Sequence, residues 1–93
     1  MIVGLGTLEL RLSWSKSLKD KRREIKSLMS RIRAKFNVAV AEIEGQDDWR
    51  RAVIGLAVIS SERRHIDSML NEIICFAEQN TEAELISSRI EIL

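Results

Sequence analysis

Apolar residues recur along this chain at two spacings, and the order in which those spacings alternate restricts the fold more than any other feature. Leu8, Leu10 and Leu12 stand two apart with Thr7, Glu9 and Arg11 between them, which is the period of a half-buried strand starting at Ile2. Leu18, Ile25, Leu28, Met29, Ile32 and Phe36 then recur at helical spacing. Val38–Glu44 is short and rich in Val and Ala. Arg50–Ser60 is apolar on both faces, with Ile54, Leu56 and Val58 against Val53, Ala57 and Ile59, as in a central strand. Ile66, Met69, Leu70, Ile73, Ile74 and Ala77 return to the helical period. Glu84–Leu93 alternates again, placing Ile86, Ser88, Ile90 and Ile92 on one side and Leu85, Ser87, Arg89 and Glu91 on the other.

The punctuation agrees with this division. Ser17 is a good N-cap with Asp20 three residues on, and Ser60 or Ser61 is placed to cap the second helix. Asn37 and Asn80 read as helix stops, and Gly45-Gln46-Asp47-Asp48 as a turn. Gly4 and Gly6 allow a bulge or a close backbone approach. The order β-α-β-β-α-β with short connections and right-handed crossovers predicts an α+β fold. The expected form is the ferredoxin-like plait, a four-stranded antiparallel sheet in order 4-1-3-2 with both helices on one face. Residues 1–93 are expected to form a single domain.

Only two Phe, two Trp and no Tyr are present, so the core must be aliphatic. The start Met1-Ile2-Val3-Gly4 reads as a strand and lacks the basic flank and apolar run of a signal peptide. No apolar run approaches the roughly 20 residues that span a membrane. One cysteine excludes an internal disulfide and gives no sign of secretion. A cytoplasmic protein without membrane contact is the expectation.

Charge is distributed unevenly. Between Lys16 and Lys35 nine basic residues face two acids, a local charge of +7, while the remainder holds six basic and twelve acidic residues, or −6. Lys19, Arg22, Arg23, Lys26, Ser30 and Arg33 recur on the helix face opposite the apolar stripe. Solvation alone accounts for many charged faces, yet here few local acids balance the cations: Asp20 can reach Lys16 or Arg23, and little else pairs along the helix. The plait would bring Trp14 and Trp49 to the pole where this helix begins, near Lys16, Lys19, Arg50 and Arg51. Indoles, cations and a helix N-terminus together suit a phosphate or a stacked base; the alternative is that each indole covers the open end of the core. A second cluster, Arg33 and Lys35 with Arg63, Arg64 and His65, is expected at the opposite pole.

The open face of the sheet would expose Val3, Leu5, Val53, Ala57 and Ile59, an apolar patch suited to a homodimer. Glu9, Arg11, Arg89 and Glu91 would supply a charged rim or cross-strand pairs. Neither central strand carries an aromatic, which argues against stacking bases on the sheet as RNA-recognition motifs do. Cys75 lies beside the second helix's apolar stripe and is expected to be buried and inert. His65 has no nucleophile partner, and Gly4-Leu5-Gly6 lies within a strand, without the features of a dinucleotide fingerprint. Glu42, Glu44, Asp47 and Asp48 gather at the hairpin without the spacing of a calcium loop, and Asp47-Asp48 is most simply turn chemistry. With no acid/base pair, nucleophile or cofactor motif, the chain is expected to be a binding protein and not an enzyme.

Four segments are similar to the YlxP-like family of small bacterial proteins of unassigned function. They are the start Met1-Ile2-Val3-Gly4, Ser17-Leu18-Lys19-Asp20-Lys21-Arg22-Arg23, Phe36-Asn37-Val38-Ala39-Val40-Ala41-Glu42, and Gln46-Asp47 with Trp49. The resemblance implies the same plait and supplies no catalytic residues. Members are often encoded beside transcription, translation-initiation and ribosome-maturation factors, which implies an RNA or ribosome connection by association.

Two functions follow as expectations. The first is an RNA- or ribosome-associated protein that contacts phosphates, in ribosomal RNA or a ribosomal subunit, through Lys16, Lys19, Arg22, Arg23, Lys26 and Arg33. Trp14, Trp49, Arg50 and Arg51 would add contacts at the pole. The second is a homodimeric interaction module that recruits an acidic protein partner.

Overall fold

The computed structural model describes all 93 residues, Met1–Leu93. It contains β1 (Ile2–Arg11), α1 (Leu18–Lys35), β2 (Ala39–Glu44), β3 (Arg51–Ser60), α2 (Arg63–Gln79) and β4 (Glu84–Ile92). The four strands form one antiparallel sheet in the order β2-β3-β1-β4, which is the expected plait. Both helices cover one face. Leu8, Leu10 and Leu12 of the first strand region meet Ile54, Leu56 and Val58 of β3, and Ile25, Leu28, Ile32, Ile66, Leu70 and Ile73 close over them. The core is aliphatic, and each of these Leu and Ile side chains stabilises the fold by about 1.5–3 kcal/mol relative to exposure.

α2 packs directly on Gly4: a Cβ there would overlap Ile66 and press on Leu70. The Gly45 turn has φ of +80°, a conformation open to glycine at little cost, and the Asp48 N–H donates to the Gly45 carbonyl at 3.0 Å. Asp48 then accepts from the Arg50 N–H at 2.9 Å, which is the turn chemistry read from Asp47-Asp48.

The helix ends differ from the sequence reading. Ser17 caps α1, accepting from the Asp20 N–H at 3.0 Å, but the Asp20 carboxylate accepts from the Lys16 N–H and not from that of Ser17. Asn37 does not stop the helix; Phe36 takes extended geometry and its N–H closes on the Ile32 carbonyl. Neither Ser60 nor Ser61 caps α2. Glu62 occupies that position without a side-chain bond, and Ser60 Oγ instead accepts from the Glu62 N–H in a local turn.

Two further expectations fail for geometric reasons. A bulge in the β1–β4 pairing places Ser87 opposite Glu9 but Leu85 opposite Leu10, so Ile86 is the extra residue. Leu85 therefore packs on the core with Ile90 and Ile92, and Ile86 is left exposed. Cys75 is also exposed. It lies about 180° around α2 from Ile66, at 100° per residue, opposite the buried line Ile66, Leu70, Ile73 and Ala77.

Candidate nucleic-acid interface

The structure divides the nine cations between Lys16 and Lys35 into three groups. Lys21 is fully buried. It continues the apolar stripe of α1, three residues after Leu18 and four before Ile25, so its ammonium is carried inward to the β2–β3 hairpin. There it donates to Glu42 Oε2 at 2.9 Å, to the Arg51 carbonyl at 3.2 Å, to the Gln46 carbonyl at 3.5 Å and to the Gly45 carbonyl. Glu42 faces the same way from β2, so this carboxylate is not part of an acidic cluster at the hairpin surface.

The second group lies on the C-terminal half of α1 and is engaged locally. Arg31 donates to the Asn80 carbonyl at 3.1 Å and Arg33 to the Val40 carbonyl at 3.0 Å. The Lys35 ammonium sits 4.8 Å from the Phe76 ring centroid, and Phe36 and Phe76 meet edge to face at 5.6 Å. The cluster expected at the opposite pole does not form there. Phe76 lies about 20 Å along α2 from Arg63, at 1.5 Å per residue, and Lys35 goes with Phe76.

The third group is free. Lys16, Lys19, Arg22, Arg23 and Lys26 are exposed, and none of their side chains makes a hydrogen bond or an ion pair. The two acids of the segment are committed elsewhere. Asp20 accepts from the Lys16 N–H, and Glu24 accepts from Thr81 Oγ1 at 2.8 Å and from the Glu82 N–H at 3.1 Å. Lys19, Arg22, Arg23 and Lys26 fall within an arc of about 100° and about 10 Å of helix axis, so their charges form one compact ridge.

Arg50 joins this ridge to the hairpin, donating from Nε to the Ser15 carbonyl at 3.2 Å while its guanidinium lies 5.4 Å from the Trp49 ring centroid. Trp14 and Trp49 thus belong to one pole, and both are 44% exposed. Neither belongs to the core cluster. The Trp14 indole N–H donates to the Glu82 carbonyl at 3.0 Å, so Trp14 and Glu24 together hold the loop ahead of β4.

Arg51 turns away from this pole. Its guanidinium pairs with Glu9 Oε2 at 2.9 Å on the open face of the sheet. The hydrogen bond from Arg51 holds the Glu9 carboxyl below the usual carboxylate range, and the same bond raises Arg51. Val53 lies next to this pair, opposite Glu9 on one side and Glu44 on the other, and is 3% exposed. It is therefore not part of an open apolar patch. Val3, Leu5 and Ala57 are half-buried on that face, and Ile59 is 65% exposed. A shallow groove of about 360 Å³ runs between Leu5, Ala39, Ala41, Ile43, Gly55 and Ala57.

Lys21 is the residue whose placement the sequence reading missed, since it entered the charge count of the segment and was assigned to neither face of the helix. The signal was present in its spacing from Leu18, Ile25, Leu28 and Ile32.

A profile of the family described as "Protein of unknown function (DUF503)" matches residues 3–90. The chain is also 33% identical over 90 residues to the "Uncharacterized protein YlxP" of Bacillus subtilis (strain 168), covering 97% of this chain and 98% of that protein. With the profile spanning both helices and all but the ends of the sheet, the chain belongs to the DUF503 family.

Proposed function

We propose that this protein binds RNA, in a ribosomal or ribosome-associated setting, through the N-terminal half of α1. The observation that carries the reading is the set of five exposed cations, Lys16, Lys19, Arg22, Arg23 and Lys26, whose only local acids are occupied by other donors. A dense polyanion compensates such charge and gains entropy by releasing its own counterions. Arg50, Trp49 and Trp14 border the same pole, where they add one further cation and two half-exposed rings. Arg33 and Arg51 contribute less, because Arg33 lies on the far half of α1 and the Arg51 charge is paired with Glu9 on the open face of the sheet. The test is affinity for ribosomal RNA and ribosomal subunits, with Lys19, Arg22, Arg23 and Lys26 replaced together by Ala. A loss of more than tenfold, with steep weakening as salt rises, supports the reading; unchanged binding overturns it.

A homodimer through the open sheet face is a second reading, favoured by the exposed Ile59 and the apolar groove beside it. The rim residues Arg11, Arg89, Glu9 and Glu91 carry both signs, so two copies related by a twofold axis could pair them across the interface. Because Val53 is buried within one chain, Ile59→Asp is the informative substitution. Sedimentation at micromolar concentration should give a dimer for the parent and a monomer for the variant. A monomeric parent removes this reading and leaves the RNA reading intact.

A further inference from the structure

We propose that the RNA engaged by α1 is base-paired, and that it is gripped by its phosphates and not by its bases. This rests on the RNA reading above and narrows it. Charge density is the first argument. Four free cations occupy about 10 Å of helix axis, and a B-form duplex carries about one phosphate per 1.7 Å of its axis, each of its two strands supplying one per 3.4 Å. Over that length the two strands of a duplex offer about six phosphates, and one strand in the same stacked geometry about three. The spread of the cations over an arc of about 100° further suits two phosphate rows flanking a groove better than one row.

The second argument is the placement of every aromatic ring. Recognition of single-stranded RNA relies on unstacked bases lying against aromatic side chains. Phe36 and Phe76 pack on each other beneath Lys35, at the far end of α1 from the ridge. Trp14 is tied by its indole N–H to the loop ahead of β4, and the Trp49 ring has the Arg50 guanidinium over it. No ring lies within the ridge itself, where the exposed positions are Lys19, Arg22, Arg23 and Lys26. Such a surface reads a regular backbone and leaves bases unread.

The third argument bounds the footprint. Beyond its first turn the exposed face of the neighbouring helix carries Asp67, Glu72 and Glu78, which repel phosphate, and its exposed cations Arg63 and Arg64 are confined to that first turn. The ligand therefore lies along α1 alone, and a stiff double helix meets a ridge one helix wide without ordering cost.

The experiment uses the full chain and two labelled probes, an RNA duplex of about 16 base pairs and an oligouridylate of equal length, read by fluorescence anisotropy at several salt concentrations. The duplex should bind at least tenfold more tightly, with log affinity falling against log salt at a slope of about −4 to −5. Replacing Lys19, Arg22, Arg23 and Lys26 by Ala should bring that slope to about −1. Trp14→Ala and Trp49→Ala should each change affinity less than threefold. Equal or tighter binding of oligouridylate, or a loss above tenfold in either Trp variant, overturns the duplex proposal while leaving RNA binding standing. Failure to bind either probe overturns both.

Discussion

The Lys21 ammonium and the Glu42 carboxylate meet at 2.9 Å with the lysine wholly removed from solvent. The contact joins the helix that carries the free cations to the hairpin that carries Trp49 and Arg50. Because the ammonium also takes carbonyl oxygens from Gly45, Gln46 and Arg51, the turn is folded around a positive charge and not around a side-chain core.

Lys21→Ala should therefore cost about 3–5 kcal/mol, since it leaves a carboxylate and several carbonyls without their donor. The double variant Lys21→Met with Glu42→Leu should recover most of that loss, because no charge then remains unpaired. Urea unfolding of Lys21→Met, Glu42→Leu and the double variant measures the coupling. Trp49 fluorescence in the folded Lys21 variant should shift as the hairpin loosens.

Gly4→Ala should destabilise by about 1–3 kcal/mol, because the added methyl overlaps Ile66 where α2 crosses β1. Ile66→Ala in the same chain makes room for that methyl. The two losses should then sum to more than the double variant shows by thermal or urea unfolding. Simple additivity would mean that the helix shifts away without cost.

The Glu9–Arg51 pair predicts a pH-dependent difference between the parent and Glu9→Gln. Glu9 is held below the ordinary carboxylate range in the folded protein, so its contribution is present above that range and is lost as pH falls through the folded value. The urea midpoints of the two proteins should differ slightly at pH 7 and converge as pH falls below the folded value. Both side chains are substantially exposed, so added salt should narrow the gap at pH 7 as well.

The two halves of α1 should separate in their effects. Lys19→Ala, Arg22→Ala, Arg23→Ala and Lys26→Ala should each leave stability within about 0.5 kcal/mol. Each should also lower the salt slope of RNA binding by about one phosphate contact. Arg31→Ala and Arg33→Ala should act in the opposite sense, costing about 1 kcal/mol through lost bonds to the Asn80 and Val40 carbonyls while RNA affinity changes little. Unfolding and anisotropy on the same six variants decide the division.

Much of the fold could be read from spacing because spacing is what a strand or helix imposes on its own residues. Leu8, Leu10 and Leu12 had to share a face whichever elements later covered them. The Ile86 assignment failed because a bulge is a property of two strands in register: nothing within Glu84–Leu93 marks where its pairing with β1 skips a residue. Val53 failed similarly, since its cover comes from Glu9 on one neighbour and Arg51 on its own strand. For Cys75 the helical angle from Ile66 is available in the sequence and points to solvent, whereas standing beside the apolar stripe does not by itself bury a residue.

The sequence by itself determined the order of the elements, the aliphatic core, the turn at Gly45 and the surplus of positive charge on the first helix, because these depend on neighbours within a few residues. Only the tertiary structure decided which of the nine cations remain free. A lysine and an arginine carry the same charge in any count. Whether that charge faces water, a carbonyl or a buried carboxylate depends on what distant strands bring beside it, as Glu42 is brought beside Lys21.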